Sequence, residues 1–381
     1  MNVRYLKQLP IWMAVLGLHA AASDRKTAMQ DYNPSDCAEL CWRSNGIECE
    51  ESWDINAGAI YFQARAQGVD VAQLSQDRNN TSFPVNGIGI QPEESLWWGF
   101  KVGGGYKLFR QDWRVTVDYT FLNTVTNTEL TAAYGSAYIP SIYSNQFIGD
   151  GLVNGFLLFN NIEVGVRNVI NNIQILANRP TYIDKRVELS PFYGLDLSFI
   201  TRRTVSVFSN DFIPGQTFQE YATQFGGFFQ NYQKWSWWGV GPTVGLLTKW
   251  FLDYDISLYG RVYGSLNYGS SRVRTSTFSK PGVNVTAFAF NPTAVYGYVT
   301  PQEAVIDNTL FQFAPEFSYQ LGFNWSKLTE NKDLLLQFNL GYEATYFFNI
   351  IKTITNEAAY RIEDGAGLGI QGLILQGSID F

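Results

Sequence analysis

From Phe311 to Trp325 the chain reads FQFAPEFSYQLGFNW. Every second residue (Phe311, Phe313, Pro315, Phe317, Tyr319, Leu321, Phe323, Trp325) is apolar or aromatic. Those between are Gln312, Ala314, Glu316, Ser318, Gln320, Gly322 and Asn324. A helix repeats about every 3.6 residues and would scatter this pattern around its axis, whereas a strand keeps the two sets on opposite faces. The stretch therefore demands a long strand between two unlike surroundings. Pro315 cannot donate to a ladder, so a local bulge is expected there.

The pattern recurs in WRVTVDYTF (113–121), VELSPFYGLDLSF (187–199), ISLYGRVYGSLNY (256–268) and LLLQFNLGYE (334–343). Weaker versions lie at 53–66, 97–108, 157–168, 237–249 and 368–381, which makes ten strand candidates. The connections after the second, sixth and eighth are short: LFRQD, FLDYD and KLTENKD. Those after the first, third, fifth and seventh are long, about 67–96, 123–156, 200–236 and 270–308, and 350–366 is shorter. A compact soluble domain has little use for structureless connections of such length. A transmembrane barrel has short periplasmic turns at one end and large loops at the other.

Tryptophan is sorted in the same way. Trp53, Trp113, Trp250 and Trp325 fall at turn ends; Trp97, Trp98, Trp235, Trp237 and Trp238 fall at loop ends. Amphipathic rings collect in girdles at the two membrane interfaces. The interface aromatics read from the sequence are Trp53, Trp97, Trp98, Trp113, Trp237, Trp238, Trp250 and Trp325. A soluble β-sandwich would explain the alternation but neither the sorted loops nor the sorted tryptophans. The expected fold is all-β: a transmembrane antiparallel up-and-down β-barrel of about 10 strands (range 10–14), with short periplasmic turns and long external loops.

No run approaches the roughly 18 apolar residues of a membrane-spanning helix. Mean hydropathy is only −0.11 despite 46% hydrophobic residues. The N-terminus has the order of a secretory signal: Arg4 and Lys7, then Leu9–Leu18, then Ala20-Ala21-Ala22. The expected organisation is a signal peptide at 1–22, a periplasmic N-terminal segment with a cysteine cluster at 23–52 and a barrel at 53–381.

Cleavage would remove Arg4 and Lys7 and no acid, leaving 25 of 27 basic residues against 34 acidic ones. Such a chain makes a poor nucleic-acid ligand, because phosphate neutralisation dominates that affinity. Cleavage would also remove His19, the sole histidine, and with it any Ser-His-Asp triad, Cys-His dyad or histidine metal site. No catalytic residue, metal or cofactor is expected. Cys37, Cys41 and Cys49 are spaced C-x3-C-x7-C. In an oxidising compartment the odd count allows one intrachain bridge and one thiol for intermolecular pairing, or three reduced cysteines.

DCAELCWRSNGIECEESW followed by INAGAIYFQA, GFKVGGGYKL, VGPTVGLLTKW and FAPEFSYQLGFNW resembles the Legionella-type pore-forming major outer membrane protein family. MOMP-like proteins of that kind are also found in environmental chlamydiae. The resemblance covers most of the expected mature chain, through diffuse strand patterns. It implies an abundant pore-forming barrel with disulfide cross-linking through the N-terminal cysteines. The terminal SIDF is similar to the aromatic signal, here Phe381, read by the barrel-assembly machinery. Cross-linked chlamydial porins carry cysteines in loops as well; this chain has them only before the first strand, which weighs against an extensive covalent network.

If the apolar faces meet lipid, the other faces line a lumen. The residues so assigned are Lys101, Arg114, Asp118, Glu163, Arg167, Glu188, Asp196, Arg261, Glu316 and Glu343. Four basic against six acidic residues suggests a mild cation preference. Glycines and serines on the same faces, Gly99, Gly103, Gly165 and Gly239 among them, would leave space for water, whereas charges pairing across a narrow lumen would plug it. The expected function is a porin for small hydrophilic solutes and ions, in the outer membrane. The alternative is a structural or adhesive envelope protein, cross-linked or homo-oligomeric, using aromatic loops such as AAYGSAYIPSIYSNQF and FQEYATQFGGFFQNYQ.

Overall fold

The computed structural model describes residues 52–67, 69–75, 87–108, 113–133, 136–140, 159–184, 186–209, 228–252, 255–280, 302–329, 334–357 and 359–381. The signal-like segment, His19, Cys37, Cys41 and Cys49 lie outside these residues. The strands are β1 (Ser52–Ala66), β2 (Ala72–Ser75), β3 (Gly87–Ile90), β4 (Leu96–Leu108), β5 (Trp113–Thr131), β6 (Ala137–Pro140) and β7 (Asn161–Asn178). They continue with β8 (Thr181–Asp184), β9 (Val187–Ser209), β10 (Phe228–Phe251), β11 (Ile256–Lys280), β12 (Gln302–Leu328), β13 (Leu335–Glu357) and β14 (Ala359–Asp380).

Ten of them close an antiparallel barrel in the order β10, β11, β12, β13, β14, β1, β4, β5, β7, β9 and back to β10. Closure follows from the solvent: in lipid every backbone N–H and C=O needs a partner within the sheet. The first and last strands pair along their length, and Trp53 and Phe381 exchange backbone hydrogen bonds of 2.8 and 2.9 Å. β8 is a short addition to β9 at the turn end.

Strands β9 to β14 have 22 to 27 residues, where about 9–11 cross a bilayer. The surplus lies at the loop end, which shortens the expected loops: β5 runs on to Thr131, β9 to Ser209 and β11 to Lys280, while β10 starts at Phe228. Strand β13, to Glu357, and strand β14, from Ala359, take up most of the expected 350–366 connection. The strand extensions escape a sequence reading because the alternation changes phase within a strand. Near the turn end of β7, Ile173 and Ile175 face outward and Asn172 and Gln174 inward. Near its loop end the apolar Ile162, Val164 and Val166 are buried inside, while Glu163 and Arg167 are exposed outside. Outside the bilayer the outer surface meets water, so the apolar residues move to the interior.

The expected bulge at Pro315 is displaced. β11 and β12 stay in register through Leu266↔Pro315. On the other side the β12–β13 ladder ends at Glu316↔Phe347, one residue short of the missing N–H. The irregularity falls in β13, where the register with β14 shifts between Phe347 and Ile351 and Asn349 takes φ 53°. The Gln312 side-chain amide donates to the Asn349 carbonyl at 3.0 Å, across the gap.

Candidate functional site: the barrel interior

At membrane level the alternation has the expected hand: on β12, Glu316 is 3% exposed and Phe317 46%. Among the sequence-assigned lumen residues, Lys101, Arg114, Asp118, Glu188, Asp196, Arg261, Glu316 and Glu343 share the inner face. Glu163 and Arg167 do not: both lie on the exposed outer surface of β7, beyond the phase change. Gly165, between them, is on the same outer face.

The interior is layered. Nearest the turns, Arg114 binds Asp54 through Nε (3.0 Å) and Nη2 (2.8 Å), and Nη2 reaches Asp380 at 3.5 Å. Arg114 is on β5 and its partners on β1 and β14, so the side chain must cross β4. It crosses at Gly105, where a Cβ would lie 2.1 Å from Asp54 Oδ1. Two residues on, Asn56 donates to Asp118 at 3.4 Å over Gly103, where a Cβ would come within 2.2 Å of the same Asp118. These glycines make room for bridges that cross β4 between strands on either side of it; they do not widen a channel. Lys249 stands opposite Glu188 on the β9–β10 ladder, both buried.

The next layer holds Lys101, Asp196, Arg261, Glu316 and Glu343, five of the eight assigned charges that face inward. Lys101 Nζ binds both Glu343 oxygens at 2.5 and 2.7 Å. Asp196 accepts from Asn172 (2.7 Å), Gln174 (3.1 Å), Ser198 (2.9 Å) and Asn267 (3.1 Å). Glu316 accepts from Tyr263 (3.2 Å), Ser265 (2.9 Å) and the same Asn267 amide (3.2 Å), which thus joins the two carboxyl groups. Arg261 donates to Gln174 at 2.9 Å and lies against the rings of Phe192 and Tyr263. Beside this layer is a cavity of about 40 Å³, bounded by Lys101, Arg261, Tyr263 and Glu343 and by Phe62 and Phe347 above. That is room for about three waters.

Above the cavity an apolar septum crosses the lumen. Phe62, Leu122, Ile170, Ile200, Trp235, Trp237, Val273, Ala314, Phe347, Leu368, Ile370 and Ile374 form one buried cluster drawn from every barrel strand except β4. Trp237 therefore leaves the interface set: it is 2% exposed and inside, next to Trp235. Neighbouring residues of a strand face opposite ways, so Trp237 and Trp238 cannot both meet lipid. Trp97 is corrected for the same reason. It has the parity of Lys101 and sits at the inner rim, 39% exposed, while Trp98 faces out. Trp53, Trp98, Trp113, Trp238, Trp250 and Trp325 are outward, and Trp53–Tyr106 and Tyr61–Trp98 pair across strands at 4.6 and 4.8 Å.

The mouth is filled in turn. β2, flanked by β3 and β6, forms a three-stranded sheet there. Val71, Ala72 and Tyr138 pack with Ile162, Val164 and the aromatic trio Phe159, Phe208 and Phe229. Arg202 binds Glu94 at 2.8 Å and Asn168 at 3.0 Å, and Gln63 donates to the Glu94 carbonyl at 2.6 Å, tying the segment before β4 into the barrel. Burial lifts the Glu94 carboxyl above its ordinary range, and Arg202 offsets only part of that. A carboxyl raised in the docked state holds its proton more tightly there. Docking is then strongest below the free carboxyl's value and weakens as pH climbs through the docked one. Amide exchange across 91–95, corrected for its intrinsic pH dependence, should show protection falling as pH rises above the ordinary carboxylate range. Glu94→Gln should flatten the profile, and an unchanged slope in that variant would assign the effect elsewhere.

The ladder positions of Asp54 and Asp380 and the septum were missed by the sequence reading. Asp54 and Asp380 carry inward parity, but their meeting becomes visible only when the first and last strands pair. Among the described residues no group of three or more His, Cys, Asp or Glu side chains is placed to hold a metal ion.

No curated protein matches the sequence significantly. Among solved structures, the outer membrane protease OmpT from Escherichia coli is similar over 87% of this chain and 96% of its own, at 9% identity and TM-score 0.38. A major outer membrane protein from Thermus thermophilus covers 84% of this chain and 98% of its own, at 9% identity and TM-score 0.27. The outer membrane protein OprG from Pseudomonas aeruginosa covers 87% and 98%, at 9% identity and TM-score 0.27. Similarity this low says nothing of activity. The family model described as Legionella pneumophila major outer membrane protein precursor matches residues 47–381, which is most of the chain. This outer-membrane barrel belongs to the Legionella major outer membrane protein family.

Proposed function

We propose that the protein is a channel for small hydrophilic solutes and ions, shut in this conformation by the apolar septum. The observation that carries the reading is the polar wall at membrane level, with its charges and cavity on the periplasmic side of the septum. Lys101, Arg114, Asp118, Glu188, Asp196, Arg261, Glu316 and Glu343 are its pore-lining charges. Apolar constrictions gate channels by excluding water, so a septum above a polar vestibule suits a gate. The function is non-enzymatic: the sole histidine lies in the segment read as a signal peptide, and the interior network pairs its carboxylates with amides and cations. Phe381, exposed at the chain end beside Trp53, suits recognition by the barrel-assembly machinery. The cysteine cluster suits envelope cross-linking or self-association.

The septum also favours a second reading, a structural envelope barrel whose lumen stays closed. Planar-bilayer recording of refolded full-length protein separates the two. A channel should give brief, small, cation-preferring steps, with the preference weakened in Glu343→Gln. Silence at all voltages from protein with the gel mobility of a folded barrel would leave the structural reading standing.

A further inference from the structure

On the outward surface of five neighbouring strands, the ladder reads Phe121, Asn171, Phe199, Trp238 and Ser270, each directly opposite the next in register, and continues to Phe311 on a sixth. This is the loop-side edge of the lipid-facing band. Four residues further out the same ladder reads Val125, Arg167, Arg203, Lys234, Arg274 and Asp307. Four cations thus stand side by side on β7, β9, β10 and β11, about 4.8 Å from strand to strand. Arg167, Arg203 and Arg274 are exposed and Lys234 is half-buried.

Like charges directly opposite on a ladder destabilise it. Among the described residues no carboxylate forms an ion pair with any of the four. Asp307, at the end of the row and near Arg274, is held by Arg272 through Nε at 2.9 Å. Arg167 donates to the neutral Asn123 at 3.1 Å. The nearest outward carboxylates on the β5–β7 side, Glu129 and Glu163, oppose each other four residues further along. Four residues at about 3.3 Å each, on a strand tilted roughly 40°, place the row about 10 Å beyond the aromatic edge. That is the headgroup side of the outer interface.

We propose that this row is a binding surface for the phosphate groups of an anionic glycolipid in the outer leaflet. The lipid's acyl chains would lie along Phe199, Trp238 and the apolar rows below, and its phosphates would neutralise cations that form no ion pair among the described residues. Arginine suits phosphate through paired N–H donors, and the width of four strands suits a headgroup carrying two phosphates.

The test is native mass spectrometry of detergent-solubilised, refolded full-length protein, titrated with an acylated disaccharide lipid carrying two phosphates. Wild type should retain this lipid and release its dephosphorylated form. Each lost cation should weaken retention about fivefold, so Arg203→Gln with Lys234→Gln should lose roughly 25-fold at low salt. Lys327→Gln, at the turn end, should bind as wild type. Heat-modifiable gel mobility checks that the barrel is closed, and Arg167→Gln with Arg274→Gln serves if the first pair fails to fold. Equal retention in both double variants would overturn the proposal, as would equal retention of the dephosphorylated lipid. Displacement by millimolar inorganic phosphate alone would also overturn it, by making the row a free-anion site.

Discussion

Truncating the septum should open the barrel. In Trp235→Ala combined with Phe347→Ala, two of the largest fully buried side chains of the septum are removed, and the polar layer beneath is left intact. Each truncation should cost about 3–5 kcal/mol of stability. The barrel should still close, because its ladder is made of backbone hydrogen bonds that neither side chain supplies. With the dewetting barrier thinned, single-channel conductance in planar bilayers should rise by roughly an order of magnitude over wild type. Folded double variant with wild-type conductance would mean that the septum is not the barrier that shuts the lumen, leaving that role to the filled mouth. The substitution Trp238→Ala, one residue away but facing lipid, should leave conductance unchanged.

The second large effect concerns the seam between the chain's two ends. Arg114 is the cation that compensates Asp54 and Asp380, which face each other on β1 and β14 and are both buried. Arg114→Met should leave two carboxylates inside the barrel without it, at a cost of about 3–5 kcal/mol. The urea midpoint of the heat-modifiable form should fall accordingly. Neutralising all three positions together, with Asp54→Asn and Asp380→Asn added to Arg114→Met, should recover much of the loss, since an apolar or neutral replacement of a buried ionic cluster is often tolerated. If the triple variant is no better than Arg114→Met, the arginine acts through its stem packing over Gly105 and not through its charge.

Both expectations depend on where the interior layers lie, and the sequence disclosed those layers unevenly. The polar layer was legible because it sits behind the lipid-facing band. There, Phe317 beside Glu316 and Leu340 beside Gly341 alternate without error, and the inner set follows by parity. The septum and the mouth were not legible. At Trp235 and Trp237, and again at Ile162, Val164 and Val166, the apolar residues belong to the interior. A reader who carries the membrane-level rule outward places Arg167 and Glu163 in the lumen and Trp237 in the lipid, and each is on the other side.

By itself, then, the sequence determined an antiparallel barrel of about ten strands, its turn and loop ends and the hand of its faces within the bilayer. Those properties are local: a period of two, the spacing of turns and the sorting of aromatic residues all follow from the chain's immediate contacts. Only the tertiary structure decided which solvent each face meets beyond the bilayer, which charges share a ladder rung and whether the lumen is filled. Alternation says that two faces differ, but the burial that assigns them comes from strands distant in sequence. It took β9, β10 and β11 side by side to put Trp235 in a septum and Arg203 beside Lys234 on an outer row.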